Sequence, residues 1–257
     1  MAIKRRTAVV TGASRGIGRA IAIALARQQY AVWAMARSAD QLDALCSEAA
    51  AMNGEVRSLK VDLSDEQQVL QSCALLLKEA GPPWVLVNNA GIALSASLAR
   101  TRNEDFERVY KVNTLAPFLF CRELIPAMAS AGGGRVINFA STAALRGYKY
   151  TSAYCASKHA LLGFTRALAV EFATKGVTIN AVCPGWTDTE MVVAAVDNIT
   201  RATGRTPEEA RRALEQMNPM GRLVQPEEVA ELCLFLASDA AAAVTGAAYP
   251  VDAGETL

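Results

Sequence analysis

Two kinds of hydrophobic pattern alternate along the whole chain. In the longer segments, such as Ile17–Gln28, Ala39–Met52 and Asp65–Glu79, apolar residues recur every three or four positions, which is typical of amphipathic helices. The shorter segments are apolar or β-branched runs, which predict strands at Thr7–Val10, Ala31–Ala36, Val56–Val61, Trp84–Val87, Arg135–Phe139, Thr178–Val182 and Ala248–Val251. Several of these runs lack polar alternation, as expected of strands that helices cover on both faces.

This alternation predicts an α/β fold, a doubly wound parallel sheet of about seven strands with helices on both faces. The 257 residues contain no internal repeat, low-complexity linker or shift in composition. We therefore expect a single domain over residues 1–257.

One segment interrupts the pattern. Residues Thr189–Pro219 are polar and follow the predicted strand Thr178–Val182, and their arginines are Arg201, Arg205, Arg211 and Arg212. Insertions at the carboxyl ends of strands in such sheets lie over the ligand crevice. We expect a lid-like insertion at about 189–219, and the alternative is a solvated surface excursion.

Composition and charge remove several classes of function. The chain is 52% hydrophobic and 20% charged, with a net charge of +1, so no positive excess marks a surface for nucleic acid or an anionic membrane. No apolar stretch approaches the ~18 residues that span a bilayer. The six cysteines are scattered and His159 is the single histidine, so no metal site is expected. We expect a soluble, cytoplasmic protein with reduced cysteines.

A glycine cluster, Thr11–Gly18, lies between the first predicted strand and the first predicted helix. Glycines there allow a tight turn and close approach of the backbone to a pyrophosphate, and the helix N-terminus supplies free N–H groups. This placement, more than the glycines themselves, indicates a Rossmann-type dinucleotide site. The loop residues assigned to the cofactor are Gly12, Ser14, Arg15, Gly16, Ile17 and Gly18.

The end of the second predicted strand bears on cofactor preference. An NAD site normally has an acid there for the ribose 2′-hydroxyl, whereas this chain has Ala36-Arg37-Ser38. Arg37, with Arg15 as a second cation, is placed to pair with a 2′-phosphate. The alternative is that both are ordinary surface arginines. We expect NADP(H) to be preferred, with NAD(H) as the other candidate.

Tyr154 and Lys158 share one face of a predicted helix that runs to about Lys175, because they are four residues apart. A nearby ammonium stabilises phenolate and lowers the pKa of tyrosine from ~10. A shift of roughly two or three units would make Tyr154 an acid/base near neutrality. The spacing alone is common on helices and is usually structural.

Ser141 follows the predicted strand Arg135–Phe139, at the edge of the sheet where the crevice is expected. Its hydroxyl can hold a substrate oxygen beside Tyr154. A nucleophilic serine is the rival interpretation. No G-x-S-x-G turn surrounds Ser141 and His159 is the single histidine, so a Ser/His triad is not expected.

Together these motifs resemble the short-chain dehydrogenase/reductase family over essentially the whole chain. Thr11–Gly18 matches the family's T-G-x-x-x-G-x-G loop, and Asn113, Ser141, Tyr154 and Lys158 match its catalytic Asn-Ser-Tyr-Lys tetrad. The other matches are cofactor-binding positions of the family, namely Asp62 and Leu63 at the adenine, Asn89, Ala90 and Gly91 of N-N-A-G, and Pro184, Gly185 and Thr187 or Thr189 of the P-G-x-x-x-T segment over the nicotinamide.

The resemblance implies a role for each member of the tetrad. Tyr154 would be the acid/base and Ser141 would orient the substrate. Lys158 would lower the pKa of Tyr154 and bond the nicotinamide ribose, and Asn113 would hold a water that joins Lys158 to a proton relay. The resemblance also implies no metal and a homotetramer, for which Phe118–Met128 and Ala160–Val170 offer apolar surface.

The substrate is less strongly indicated. Residues Met220–Ala230 resemble bacterial 3-oxoacyl-thioester reductases and aromatic-polyketide ketoreductases, but also sugar, polyol and cyclic-alcohol dehydrogenases of the family. Carrier-protein reductases typically have a basic residue where this chain has Ala131-Gly132-Gly133-Gly134, although Lys175 retains a cation nearby. This departure counts against carrier-protein docking. The arginines of the 189–219 segment could instead meet the phosphates of a coenzyme A thioester, or be solvated helix charges.

We therefore expect an NADP(H)-dependent enzyme that interconverts a ketone and a secondary alcohol, on a 3-oxoacyl or 3-hydroxyacyl thioester or a similar ketone. The alternative within the family is an NAD(H)-dependent dehydrogenase of a cyclic alcohol, polyol or sugar. A catalytically silent nucleotide sensor is the alternative of a different class. Such a relative should have lost part of the tetrad, which here is whole.

Overall fold

A computed structural model of the protein describes residues 5–257, so the first four residues of the predicted domain lie outside the described part. Its centre is a seven-stranded sheet in which all paired strands are parallel, in the order β3-β2-β1-β4-β5-β6-β7. The strands are β1 (Thr7–Thr11), β2 (Ala31–Ala36), β3 (Glu55–Lys60), β4 (Val85–Asn88), β5 (Gly134–Phe139), β6 (Val177–Pro184) and β7 (Ala248–Val251). The prediction of a doubly wound α/β sheet is confirmed.

Helices cover both faces of this sheet. They are α1 (Gly16–Arg27), α2 (Ala39–Ala51), α3 (Glu66–Glu79), α4 (Asn103–Tyr110), α5 (Ala116–Ser130), α6 (Ser152–Phe172), α7 (Glu190–Thr203), α8 (Pro207–Glu215) and α9 (Pro226–Ala237). Alternate residues of a strand enter different cores, since Ala8 and Val10 pack with α1 and α9, whereas Val9 packs with α3 and α5. Burial on both sides explains why the central strands lack polar alternation.

The strand order places the ligand crevice. The chain runs outward from β1 to β3, returns to β4 beside β1, and then runs outward on the other side. The carboxyl ends of β1 and β4 therefore flank a topological switch point, where ligands bind in open α/β sheets. The glycine loop follows β1 at this position, and Asn89–Gly91 follow β4.

Strand boundaries differ from the predicted ones by a few residues. Trp84 directly precedes β4, and the guanidinium groups of Arg6 and Arg135 lie 4.0 and 4.8 Å from the centre of its ring. Its indole N–H donates to the carbonyl of Ala237. Val61 lies just beyond β3, which is the edge strand and alternates between exposed and partly buried residues over most of its length.

The segment Thr189–Pro219 contains two helices, α7 and α8. Apolar residues of both helices, including Val192, Val196, Ala210 and Leu214, form a small core of their own together with Leu223. The segment is therefore a helical hairpin with its own packed interior, joined to the sheet next to the carboxyl end of β6.

None of the helices within residues 5–257 combines the length and the apolar composition that a membrane span requires. The six cysteines are free thiols, and four of them, Cys73, Cys121, Cys183 and Cys233, are buried. In the same described range, no three metal-ligating side chains converge on one point.

Candidate active site

The glycine loop has the backbone geometry that the sequence predicts. Gly12 and Gly16 adopt φ values of +67° and +51°, in the left-handed region that favours glycine. A Cβ atom on Gly18 would collide with the carbonyl oxygen of Gly12 and the side-chain amide of Asn89. Helix α1 begins at Gly16, so its first N–H groups have no partner within the helix. We call Thr11–Gly18 with this helix N-terminus the glycine cradle; free N–H groups at a helix N-terminus suit a pyrophosphate.

Thr11 and Asn89 hold the loop against β4, and sequence reasoning did not assign this role to either. The Thr11 hydroxyl accepts the N–H groups of Asn89 and Ala90, both at 3.1 Å. The Asn89 amide donates in return to the carbonyl of Thr11 at 2.9 Å and more weakly to that of Gly12 at 3.3 Å. The two sides of the switch point are therefore fixed to each other. The only sequence signal for Thr11 is its place at the start of the glycine motif.

The side chains predicted to meet the adenosine end lie at the ends of β2 and β3. Arg37 and Arg15 are both exposed, Arg37 directly after β2 and Arg15 at the start of α1. Asp62 and Leu63 are partly buried just beyond β3. Hydrogen bonds from the Ser64 N–H and hydroxyl lower the pKa of Asp62, and the charge of Arg37 lowers it further. Arg37 is therefore near Asp62, at the edge of the crevice.

The residues predicted to cover the nicotinamide follow β6. Pro184 is the buried last residue of that strand, and the Gly185 N–H donates to the carbonyl of Val251 in β7. The hydroxyl of the buried Thr187 donates to the carbonyl of Gly185 at 3.1 Å. Thr189 lies against the glycine loop, since a Cβ atom on Gly16 would be 3.1 Å from its Cγ2. The 189–219 segment therefore begins directly over the cofactor cradle.

Ser141, Tyr154 and Lys158 meet at the carboxyl edge of β5. Lys158 is 3% exposed, and its Nζ donates to the carbonyl of Phe139, the last residue of β5, at 2.7 Å. Ser141 Oγ accepts the Ala143 N–H at 3.1 Å, which leaves the hydroxyl proton of Ser141 free to be donated elsewhere. Tyr154 is partly buried and lies beside Ser141.

Burial dominates the electrostatics of these groups. It raises the pKa of Tyr154, and hydrogen bonding to Ser141 opposes the rise. It lowers the pKa of Lys158 to about 8. The expected lowering of the Tyr154 pKa by Lys158 is thus not found here. The physical reason is that the Lys158 ammonium lies 5.8 Å from the centre of the Tyr154 ring and makes its hydrogen bond to Phe139.

Asn113 lies in a π-helical turn, Lys111–Leu115, between α4 and α5. Such turns occur frequently at functional sites. The Asn113 side chain is fully buried and bonds both the N–H and the carbonyl of Ile92, at 2.9 and 3.0 Å. A Cβ atom on Gly91 would lie 3.3 Å from both Asn113 Oδ1 and Lys158 Nζ. Asn113 and Lys158 therefore lie beside Gly91, which follows β4.

Ser157 is a second residue that the sequence did not reveal. Its hydroxyl accepts from the Asn113 amide at 3.0 Å and donates to the carbonyl of Tyr154 at 2.7 Å. It therefore joins the π-turn to the first turns of α6. It stands between Tyr154 and Lys158 in the motif, but nothing in the sequence shows which side chain it meets.

The chain is similar to known proteins over nearly its whole length. A family model described as enoyl-(acyl carrier protein) reductase matches residues 12–256. The chain is 37% identical over 254 residues to the 3-oxoacyl-[acyl-carrier-protein] reductase FabG of Pseudomonas aeruginosa, covering 99% of this chain and 98% of that protein. It is 34% identical over 252 residues to D-threitol dehydrogenase of Mycolicibacterium smegmatis, covering 98% and 93%.

A solved structure has the same fold. Actinorhodin polyketide ketoreductase with NADPH superimposes with a TM-score of 0.94 at 35% identity, covering 98% of this chain and 97% of that one.

Proposed function

The chain belongs to the short-chain dehydrogenase/reductase family, and we propose that it is an NADP(H)-dependent ketoreductase whose substrate is a 3-oxoacyl thioester. The observation that carries this proposal is the meeting of Ser141, Tyr154 and Lys158 at the carboxyl edge of β5, next to the glycine cradle. A positioned hydroxyl, a phenol and a buried ammonium are what reduction of a carbonyl needs beside a hydride donor.

Each side chain has a task that follows from its contacts. The Ser141 hydroxyl accepts the Ala143 N–H and donates a hydrogen bond to the substrate oxygen, which holds that oxygen in place. Tyr154 gives its phenolic proton to that oxygen during reduction and removes it during oxidation. Lys158, whose ammonium is held by the carbonyl of Phe139, would bond the nicotinamide ribose. Bound NADP(H) would supply or accept the hydride.

The glycine cradle, with Asn89 and Ala90 beside it, would hold the pyrophosphate, and Asp62 would bond the adenine. Arg37 and Arg15 support the choice of NADP(H), since both are exposed at the crevice and the end of β2, Ala36-Arg37-Ser38, contains no acid. Thr187 and Thr189 would close the nicotinamide end. Tyr154 and Lys158 would also contact the cofactor.

A thioester substrate is supported by the 3-oxoacyl-[acyl-carrier-protein] reductase relative. Two arginines of the 189–219 segment are engaged within the segment or at its edge, because Arg211 pairs with Asp188 and Glu215, and Arg201 bonds Asn198. Among residues 5–257, Arg205 and Arg212 form no ion pair. These two are the candidates to meet a coenzyme A phosphate. The D-threitol dehydrogenase relative supports a polyol as the rival substrate.

The substrate proposal is tested by kcat/KM for reduction of 3-oxoacyl-CoA thioesters of several chain lengths, with keto-sugars and cyclic ketones as the comparison. We expect the thioesters to give the highest values. Replacing Arg205 and Arg212 together by Ala should raise KM for the CoA thioester and leave KM for a pantetheine thioester unchanged. Higher kcat/KM values for keto-sugars than for the thioesters would contradict the thioester proposal and favour a polyol or sugar substrate.

The 189–219 segment should act as a lid. Its start contacts the glycine loop and its interior is a small core separate from the main one, so it can open without disrupting the sheet. Amide hydrogen exchange in α7 and α8 should slow when NADPH and a substrate analogue bind. The strand β5 serves as the internal control. Equal protection of α7 and α8 with and without ligands would count against a lid.

The protein should also assemble with copies of itself. Most of the Phe118–Met128 stretch packs on its own sheet, but Phe118 remains 39% exposed, and Phe106 and Tyr110 of α4 are each 42% exposed. In α6, Val170 is 82% exposed. Apolar side chains on adjacent helices suit an isologous contact, and two such contacts would build a tetramer. Light scattering at micromolar concentration should show a tetramer mass, and Phe118→Glu should lower it. A monomer mass for the wild type would refute the assembly.

A further inference from the structure

The segment Asp252–Leu257, which follows β7, connects two parts of the candidate site. Asp252 organises it as a turn, since its carboxylate accepts the N–H groups of Gly254 and Thr256 and the Thr256 hydroxyl, at 2.6 to 3.0 Å. The Ala253 carbonyl accepts the N–H of Met220, which directly follows the 189–219 segment, at 3.2 Å. On its other side the turn meets the loop between β5 and α6.

Glu255 makes this second contact. Its side chain is 5% exposed, and Oε1 accepts the hydroxyl of Tyr148 at 2.5 Å. Its main-chain carbonyl accepts the Arg146 guanidinium at 2.8 Å. Tyr148 and Arg146 lie in the loop that carries Ser141 at one end and leads into α6, with Tyr154, at the other. We call Glu255, Tyr148 and Arg146 the Glu255 cluster.

The second oxygen of the carboxyl points toward the crevice. A Cβ atom on Gly185, directly after β6, would be 2.7 Å from Glu255 Oε2. Within the described residues this buried oxygen accepts no hydrogen bond. Burial raises the pKa of Glu255, and Asp252 raises it further, whereas Tyr148, Arg146 and Thr142 oppose the rise. Burying a carboxyl costs free energy that its hydrogen bonds must offset, so the bond from Tyr148 is expected to hold Glu255 and the loop together.

We propose that Glu255 is a positioning residue for the ketoreductase site. Glu255 holds the loop after Ser141 against Met220, just after the 189–219 segment, and against Gly185, directly after β6. It thereby places the Ser141 hydroxyl for the substrate. This inference rests on the proposed function. Glu255 does not touch the reacting atoms. It acts through Tyr148 and Arg146. Among residues 5–257, no side chain of the tetrad forms a hydrogen bond with Met220, just after the 189–219 segment.

The first test needs no activity. Amide hydrogen exchange of residues 142–151 and of Met220 should be faster in Glu255→Ala than in the wild type. Glu255→Gln should show wild-type exchange, since the amide retains an oxygen for Tyr148. Thr256→Val is the matched control, because it removes one hydrogen bond of the same turn and none to the loop. Unchanged exchange of residues 142–151 in Glu255→Ala would overturn the proposal.

The second test is kinetic. Glu255→Ala should lower kcat by ~10-fold to ~100-fold, the range for loss of a hydrogen bond to a charged group, with little change in NADPH affinity. Glu255→Gln should restore kcat to within about threefold of the wild type, since the amide retains an oxygen for Tyr148.

A double-mutant cycle distinguishes positioning of the loop through Tyr148 from a general loss of rigidity at the site. If Glu255 acts through Tyr148, then Glu255→Ala combined with Tyr148→Phe should lower kcat no more than Glu255→Ala alone. Multiplicative losses would contradict the proposal. If the wild type reduces no ketone, the proposed function fails, and the exchange experiment still decides whether Glu255 holds the loop.

Discussion

Replacing Tyr154 by Phe should lower kcat for carbonyl reduction by at least ~10²-fold and as much as ~10⁴-fold, the range for general acid–base catalysis. The substitution removes the phenolic oxygen and leaves the ring, so the packing beside Lys158 and Ser141 is retained. Affinity for NADPH, measured by the quenching of tryptophan fluorescence, should change little.

Tyr150→Phe is the matched control for this experiment. Tyr150 lies in the loop that leads into α6, is 63% exposed, and its main-chain carbonyl accepts the N–H of Ala96. It should retain wild-type turnover. A Tyr154→Phe enzyme that kept most of its turnover would show that another group delivers the proton.

Replacing Ala36 by Asp and Arg37 by Ile should reverse the cofactor preference from NADP(H) to NAD(H). The new carboxylate can accept a 2′-hydroxyl but repels a 2′-phosphate, and the change removes the cation that the phosphate would meet. A hydrogen bond to a charged group contributes ~1.5–3 kcal/mol, which is roughly a ten- to hundredfold change in affinity. Because Arg37 is exposed, solvent and salt screen its charge. We therefore expect its removal to change the affinity by the lower half of that ten- to hundredfold range.

The measurement is the ratio of kcat/KM for NADPH and NADH in the wild type and in the double variant, with the maximal rate unchanged. Arg27→Ile serves as the control, since it removes an arginine at the other end of α1 from the glycine loop. A wild-type ratio in favour of NADH would mean that Arg37 points into solvent.

Features set by neighbours in the chain could be predicted from the sequence. Tyr154 and Lys158 are one helical turn apart, and the glycine loop joins a strand to a helix, so their geometry follows from local structure. Contacts between distant segments could not be predicted. Asn89 and Thr11 are 78 residues apart and Glu255 and Tyr148 are 107 apart, and only the folded sheet brings them together.

Burial is also a property of the folded chain. The four-residue spacing suggests that Lys158 lowers the pKa of Tyr154. In the folded chain burial raises that pKa, and the Lys158 ammonium is bonded to the carbonyl of Phe139. The 189–219 segment is polar in composition, yet Val192, Val196, Ala210 and Leu214 recur at helical spacing and meet each other. The arginines and glutamates around them obscure this pattern in the sequence.

The central claim, hydride transfer between a nicotinamide and a ketone, is tested most directly with NADPH that carries deuterium at the transferring position of C4. The wild-type enzyme, mixed with this cofactor and a 3-oxoacyl-CoA, should consume one NADPH for each alcohol formed. The alcohol should carry one deuterium on its carbinol carbon. Binding of NADPH without consumption or label transfer, for thioesters, keto-sugars and cyclic ketones alike, would contradict the claim and indicate a nucleotide sensor.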